Sequence, residues 1–184
     1  MYRLIALTFL TSFTFLSFSQ SKENWVDFKS AKFGFKIQIP KEPSFTTKAI
    51  ITETGTMKMN IFAYQPLASE KDVNTFYGIN ITDYPNDAFD YKNKEDMNEF
   101  FKNSIQGSVK SVNGELVYEE IINFKGYPGR DYRVIIRNGT VTLRSKMIVV
   151  KNRVYTVTTI TDKENDFNKS ISKFMDSFQL TKKQ

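Results

Sequence analysis

The densest group of chemically versatile side chains lies between Gly126 and Arg133. Arg130 and Arg133 flank Asp131, and Tyr127 precedes them. A guanidinium is a forked donor that matches carboxylates and phosphates, and Asp131 could orient either arginine. We expect a rigid turn at residues 126–129 that holds Tyr127, and we take Tyr127, Arg130, Asp131 and Arg133 as a candidate partner-binding site. The interpretation that we favour is structural: the glycines and the proline only shape a strand connection, and the charges lie on the solvent face of a strand.

A second candidate surface is an irregular aromatic stretch at residues 83–93. Tyr84, Phe89 and Tyr91 lie within it. Exposed aromatic side chains in a long loop can anchor a partner, so Tyr84 and Tyr91 are also candidate binding residues. The same rings could instead fold back as a lid on the core, and packing is the interpretation that we favour.

Several kinds of chemistry are excluded because the chain contains no histidine and no cysteine. A Ser-His-Asp triad, a cysteine nucleophile, Cys/His zinc sites, histidine-ligated haem and iron–sulfur clusters all need these side chains. Asp83, Asp87 and Asp90 are spaced irregularly around Pro85, which is typical of a loop with solvated charges. We expect no cofactor and no metal. Catalysis by a pair of carboxylates stays open.

The N-terminus has the three-part pattern of a secretory signal peptide. Arg3 precedes an uncharged run at residues 4–16, and Ser17 and Ser19 supply small residues at the −3 and −1 positions. A membrane anchor is the alternative, but threonines and a serine dilute the run. We expect a signal peptide at 1–19 and one domain at 20–184. The domain would be periplasmic or extracellular, with no stable membrane insertion after cleavage.

The composition is globular, with 40% hydrophobic and 25% charged residues and a net charge of +6. An excess of basic residues can indicate an anionic partner. Here the basic residues are spread along the chain without a run of like charges, so we favour an ordinary soluble surface. We do not expect a nucleic acid partner.

In the first half of the chain, alternating apolar residues predict strands, and an apolar stripe at helical spacing then predicts a helix. These elements are the strands Phe33–Ile39, Phe45–Glu53, Met57–Tyr64 and Thr75–Thr82 and the helix Lys94–Val112. Asn113 and Gly114 form the predicted stop, with Gly114 in the left-handed backbone conformation.

In the second half, consecutive strands are separated by short turn signals, of which Asn138-Gly139 is the strongest. The predicted strands are Glu115–Phe124, Arg130–Arg137, Thr140–Val150 and Arg153–Ile160. A final helix at Lys163–Ser177 follows a capping box that runs from Thr161 to Glu164, and Phe167 belongs to its apolar stripe. Short connections favour a largely antiparallel sheet of about six to eight strands, covered by two main helices in an α+β fold.

The pattern of elements and some short motifs resemble the PsbP-like superfamily of α/β/α sandwich domains. The segments that carry the resemblance are Trp25, Phe33–Ile37 with Pro40 and Pro43, Lys125–Tyr132, Tyr155 and Phe174–Leu180. Members of that superfamily include an extrinsic subunit of photosystem II, a Ran-binding nuclear import factor and bacterial exported proteins of unknown role. The resemblance implies a scaffold that binds other macromolecules, and it supplies no catalytic residues to carry over.

These observations predict an exported, non-enzymatic binding or assembly module that interacts with a protein or an envelope component. A carboxylate-based hydrolase and a carrier of a small apolar ligand are the alternatives. The sequence does not predict the partner or the oligomeric state.

Overall fold

The computed structural model of the protein describes residues 25–52, 55–70 and 72–181. The predicted signal peptide lies outside the described residues. The secondary structure consists of the strands β1 (Val26–Ser30), β2 (Phe35–Ile39), β3 (Ser44–Thr52), β4 (Gly55–Tyr64), β5 (Asn74–Asp83), β6 (Glu115–Phe124), β7 (Tyr127–Ile136), β8 (Val141–Val150), β9 (Arg153–Asp162) and β10 (Gln179–Leu180), the helices α1 (Lys94–Ser111) and α2 (Lys169–Asp176), and a single 3-10 turn (Lys163–Asn165).

The large sheet is antiparallel, with the strand order β3-β4-β5-β9-β8-β7-β6. A second, three-stranded sheet has the order β1-β2-β10. The prediction of a largely antiparallel α+β fold with two helices is therefore confirmed. The short strands β1 and β10 were not predicted, because five and two residues carry too little alternation to stand out.

Each face of the large sheet has its own core, since successive residues of a strand point to opposite faces. On one face, Phe101 and Ile105 of α1 pack against Tyr132, Val134 and neighbouring apolar residues of the sheet. On the other face, α2 and the three-stranded sheet enclose a second cluster. Within that second cluster, the Tyr155 hydroxyl donates to the Phe33 carbonyl at 2.6 Å. The result is a sandwich in which the two helices cover opposite faces, as predicted.

The four strands from β6 to β9 form a meander whose turns fix its register. Lys125 and Gly126, both at positive φ, connect Phe124 to Tyr127, and a second two-residue turn connects Val150 to Arg153. The β7–β8 connection is a four-residue loop, Arg137–Thr140, around the predicted Asn-Gly pair.

The predicted turn at residues 126–129 is wrong in its position. Tyr127, Pro128 and Gly129 belong to β7, and the turn lies two residues earlier. Proline fits there because β7 pairs with β8 only from Gly129 onwards. The missing amide hydrogen of Pro128 therefore leaves no gap between β7 and β8.

Helix α1 begins and ends close to the predicted residues. Asn93 caps it by accepting hydrogen bonds from the Glu95 and Asp96 amides at 3.1 and 3.3 Å. At its end, Asn113 rather than Gly114 takes the left-handed conformation, with φ 48°. Gly114 serves a different purpose, because a Cβ there would lie 2.5 Å from the Val134 side chain.

The predicted final helix is wrong over its first half. Thr161 lies in β9 and its hydroxyl donates to the Val73 carbonyl at 2.8 Å, so no capping box forms. Asn168 caps α2 instead, accepting from the Ile171 amide at 3.0 Å. Phe167, at φ 70°, separates the 3-10 turn from α2 and therefore leaves the apolar stripe. Within the described residues, no helix is both long and apolar enough to cross a membrane.

Two glycines near the C-terminal end of α1 should respond to alanine in opposite directions. A Cβ at Gly107, inside α1, meets no atom within 4 Å, so Gly107→Ala should stabilise the protein by about 0.5–1 kcal/mol. At Gly114 a Cβ would also lie 2.9 Å from the Ile135 carbonyl oxygen, so Gly114→Ala should destabilise it by about 1–3 kcal/mol. Urea denaturation measures both changes, and effects of the same sign would contradict the assigned end of α1.

Candidate functional site

A row of polar side chains crosses four neighbouring strands on the α2 side of the large sheet. Tyr118 of β6 lies opposite Arg133 of β7, Arg133 lies opposite Arg144 of β8, and Arg144 lies opposite Thr159 of β9. Directly opposite residues have Cβ atoms about 4.5–5.5 Å apart, so these four side chains are immediate neighbours. We call them the arginine row.

Phe167 lies against the arginine row. The guanidinium carbons of Arg133 and Arg144 are 5.0 and 4.9 Å from the centre of its ring, within the range of cation–π contacts. The ring is nevertheless 66% exposed. The preceding residue, Asp166, accepts a hydrogen bond from Arg133 Nη1 at 2.8 Å. The break before α2 thus supplies both an aromatic ring and a carboxylate to the two arginines.

A pocket opens between these groups. It is lined by Tyr118, Arg133, Arg144 and Phe167 and has a volume of about 200 Å³. On β6, the register shifts between Leu116 and Tyr118, which marks a bulge just beside the pocket. Bulges re-aim side chains at sheet edges, and β6 is an edge strand of the large sheet.

Unpartnered polar atoms are concentrated on this face. Within the described residues, four buried side-chain atoms have no hydrogen-bond partner: Asp131 Oδ1, Arg133 Nε, Thr142 Oγ1 and Thr159 Oγ1. Strand alternation and register place all four on the α2 side. Since buried polar groups are nearly always hydrogen-bonded, their clustering identifies a place where a polar ligand would find donors and acceptors.

A second row, of mixed charge, lies beside the arginine row. Glu120, Asp131 and Lys146 are opposite one another on β6, β7 and β8. Burial raises the pKa of the Asp131 carboxyl, while Arg144 and Lys146 act to lower it and Glu120 acts to raise it. The Tyr118 hydroxyl donates to Glu120, and this hydrogen bond raises the Tyr118 pKa.

Two of the residues singled out in the sequence, Asp131 and Arg133, belong to the site. Arg130 does not, because it points to the opposite face and is only 5% exposed. Its guanidinium stacks on Phe101 at 4.5 Å, and it donates to Asn98 at 2.5 Å and Glu119 at 3.1 Å. Arg130 therefore ties β7 to α1 and to β6.

The three tyrosine candidates also lie elsewhere. Tyr127 is half-buried against the α2-side core. Tyr84 packs on Phe89 and Phe100 and joins the α1-side core, as in the packing alternative. Tyr91 is 40% exposed, and its hydroxyl donates to the Lys151 carbonyl at 2.8 Å. Because the rest of the Tyr91 side chain is buried, the pKa of its hydroxyl is raised to about 12. A partner-binding role for these tyrosines stays a prediction.

Sequence reasoning missed Tyr118, Arg144 and Phe167. One signal was available, since Arg133 and Arg144 are equally distant from the Asn138-Gly139 pair, and an antiparallel hairpin centred there places them opposite each other. Phe167 was not recognised as a site residue because its spacing fits the apolar stripe of the predicted final helix. The polar residues around it, Asp166 and Asn168, were the sign of an interruption.

The raised pKa of Asp131 gives a test of the site's electrostatics. A carboxyl whose pKa is higher in the folded than in the unfolded state favours folding at acid pH, and this contribution is lost as pH rises through the folded pKa. The difference in melting temperature, wild type minus Asp131→Asn, should therefore decrease as the pH rises from 3.5 to 7. Asp87→Asn, in the exposed loop, is the control. A wild-type advantage that grows with pH would contradict the assigned burial effect.

Comparisons with known proteins agree with this architecture. No family model and no curated protein matches the chain. Among solved structures, cyanobacterial PsbP (CyanoP) from Synechocystis sp. PCC 6803 matches with a TM-score of 0.56 and 13% identity over 88% of this chain and 95% of its own. A protein of unknown function from Pseudomonas aeruginosa matches with a TM-score of 0.40 and 15% identity, over 65% of this chain and 85% of its own. That TM-score is too low to indicate a shared fold.

At such low identity, structural likeness shows the fold alone. The order of strands and helices, the antiparallel sheet with a helix on each face and the match to CyanoP lead to one conclusion. The protein has the PsbP-like fold.

Proposed function

We propose that the protein is an exported, non-enzymatic binding module that docks a partner protein or an envelope component at the arginine row. The observation that carries the proposal is the pair Arg133 and Arg144, directly opposite each other on adjacent strands and both in contact with one exposed ring. Like charges in this arrangement destabilise a sheet. An anionic group on a partner would relieve that repulsion.

The chemistry of the pocket rim supports docking. Arginine and aromatic residues are enriched at the centres of protein interfaces, where they supply both area and hydrogen bonds. Here Tyr118, Phe167 and Arg144 are partly or fully exposed and border one pocket. Export is supported by the signal pattern of residues 1–19, and a non-enzymatic role by the lack of histidine and cysteine in the chain.

A carboxylate-based hydrolase is the second candidate. It is favoured by one feature, the position of Glu120 directly opposite Asp131, whose pKa is raised by burial. Such an environment suits a general acid. If the pair were catalytic, Glu120→Gln and Asp131→Asn would each abolish hydrolysis of a chromogenic glycoside.

An apolar-ligand carrier has less support, because rings such as Phe35, Phe174 and Phe178 fill the described space between the sheet and α2.

Affinity capture tests the docking proposal. The full chain with a C-terminal tag is expressed in its own cells, crosslinked briefly and purified, and the co-purifying proteins are quantified by mass spectrometry. A partner near equal stoichiometry should be reduced at least tenfold by the double variant Arg144→Ala/Phe167→Ala. This loss corresponds to about 1.4 kcal/mol or more of binding free energy.

A matched control is available elsewhere on the surface. Arg137 lies in the exposed β7–β8 loop, and Leu67 is 66% exposed, the same fraction as Phe167. Arg137→Ala/Leu67→Ala removes equivalent groups and should leave capture unchanged. Melting curves verify that both double variants are folded. Equal loss in both, or in neither, would place the partner-binding surface away from the arginine row.

A further inference from the structure

Arg144 has unused hydrogen-bonding capacity. In the part of the chain that the structure describes, Arg133 pairs with Asp166 and Lys146 pairs with Asp176, at 2.8 and 3.4 Å, whereas Arg144 forms no ion pair. The Arg144 guanidinium contacts the ring of Phe167. This cation–π contact supplies no hydrogen-bond acceptor to the N–H groups of Arg144. Arg144 is thus the cation of this face that is ready to receive an anion.

Other donors surround the same space. Arg133 Nε is buried and has no partner, although the Nη1 of the same guanidinium is taken by Asp166. Thr159, next to Arg144 in the arginine row, has a buried hydroxyl with no partner. A ligand oxygen between Arg133 and Arg144 could therefore accept hydrogen bonds from both guanidiniums.

The size of the pocket limits what it can hold. Its volume of about 200 Å³ lies below the range of about 300–1,000 Å³ that is usual for drug-sized ligands. Tyr118 and Phe167 contribute two aromatic rings to its wall. A single anionic group on a compact apolar or aromatic body, such as one amino-acid residue, fits this space and this lining.

The charge balance favours one negative charge over two. Around the arginine row, the carboxyl groups of Asp166, Asp131, Glu120 and Asp176 act together with the cations Arg133, Arg144 and Lys146. A phosphate dianion would meet this excess of carboxylates, whereas a carboxylate adds the one charge that Arg144 can pair. The planar guanidinium also matches a carboxylate in bidentate geometry.

We propose that the pocket binds a carboxylate group, held by Arg144 and the Nε of Arg133, with its apolar body against Tyr118 and Phe167. The inference rests on the proposed function, since it names the chemical group by which a partner would be anchored. Two sources share this chemistry, the chain end of a protein and a free organic acid. Asp166, which already binds Arg133, acts as a competitor within the chain.

Binding is tested with a matched pair of small ligands. N-acetylphenylalanine carries the carboxylate, and N-acetylphenylalanine amide has the same body without the charge. Titration of the full chain, followed by NMR shifts and calorimetry, should give binding of the acid that is at least tenfold tighter than binding of the amide. Arg144→Gln should remove the preference, and Arg137→Gln should retain it. Equal affinities for acid and amide, or no binding of the acid at millimolar concentration, would overturn the inference.

Asp166→Asn provides a second, independent variant. It removes the competing charge. In the wild type, Asp166 Oδ1 accepts a hydrogen bond from the backbone N–H of Phe167 at 3.2 Å, and the side-chain oxygen of asparagine can still accept it. The affinity for N-acetylphenylalanine should rise severalfold, and inorganic phosphate should begin to bind. Unchanged affinities in a variant whose melting temperature is near that of the wild type would show that Arg133 does not take part.

The source of the carboxylate is resolved by comparing ligands. A tripeptide ending in phenylalanine that binds more tightly than N-acetylphenylalanine indicates the chain end of a protein, and equal binding indicates a free acid. Failure here is distinguishable from failure of the docking proposal. If capture of a partner depends on Arg144 but the acid does not bind, only the carboxylate inference is refuted. If the acid binds but no partner is captured, only the docking proposal is refuted.

Discussion

The register of the β6–β9 meander is the constraint on which the rest of the structure depends. A slip of one residue in β7 would turn Tyr132 and Val134 away from α1 and would bury Asp131 and Arg133 in their place. Neither core nor the pocket would survive such an exchange. The two-residue turns after Phe124 and Val150 and the four-residue loop between β7 and β8 prevent it by fixing which residues face each other.

The arginine row shows how the fold supports a group of charges that would be unfavourable alone. Arg133 and Arg144 repel each other, but each contacts the electron-rich face of Phe167, and Asp166 neutralises one of them. The positive φ of Phe167 contributes to this arrangement, because the residue lies between the 3-10 turn and α2 and its ring is outside the α2 stripe. A backbone irregularity, rather than a regular element, therefore completes the site.

The strands of the large sheet, helix α1 and the layering were predictable because they depend on alternation and short turn signals within the sequence. Phe35, Ile37 and Ile39 are buried as their spacing predicted, and the stripe that predicted α1 supplies its core contacts. The site was only partly predictable, since it depends on register across four strands. Arg130 and Arg133 look equivalent in sequence, yet an odd spacing along a strand sends them to opposite faces. Phe167 was mispredicted because a four-residue spacing from Ile171 imitates a continuous helix.

The edge position of β6 has a consequence for how the protein behaves at high concentration. Its open backbone lies beside exposed Leu116, Val117 and Ile121, a combination that ordinarily invites strands of other molecules to pair. Two devices oppose this. The bulge between Leu116 and Tyr118 makes the strand irregular, and the exposed carboxylate of Glu120 would repel a second copy of the same strand. The protein can thus keep an apolar rim open to solvent while discouraging self-association into fibrils.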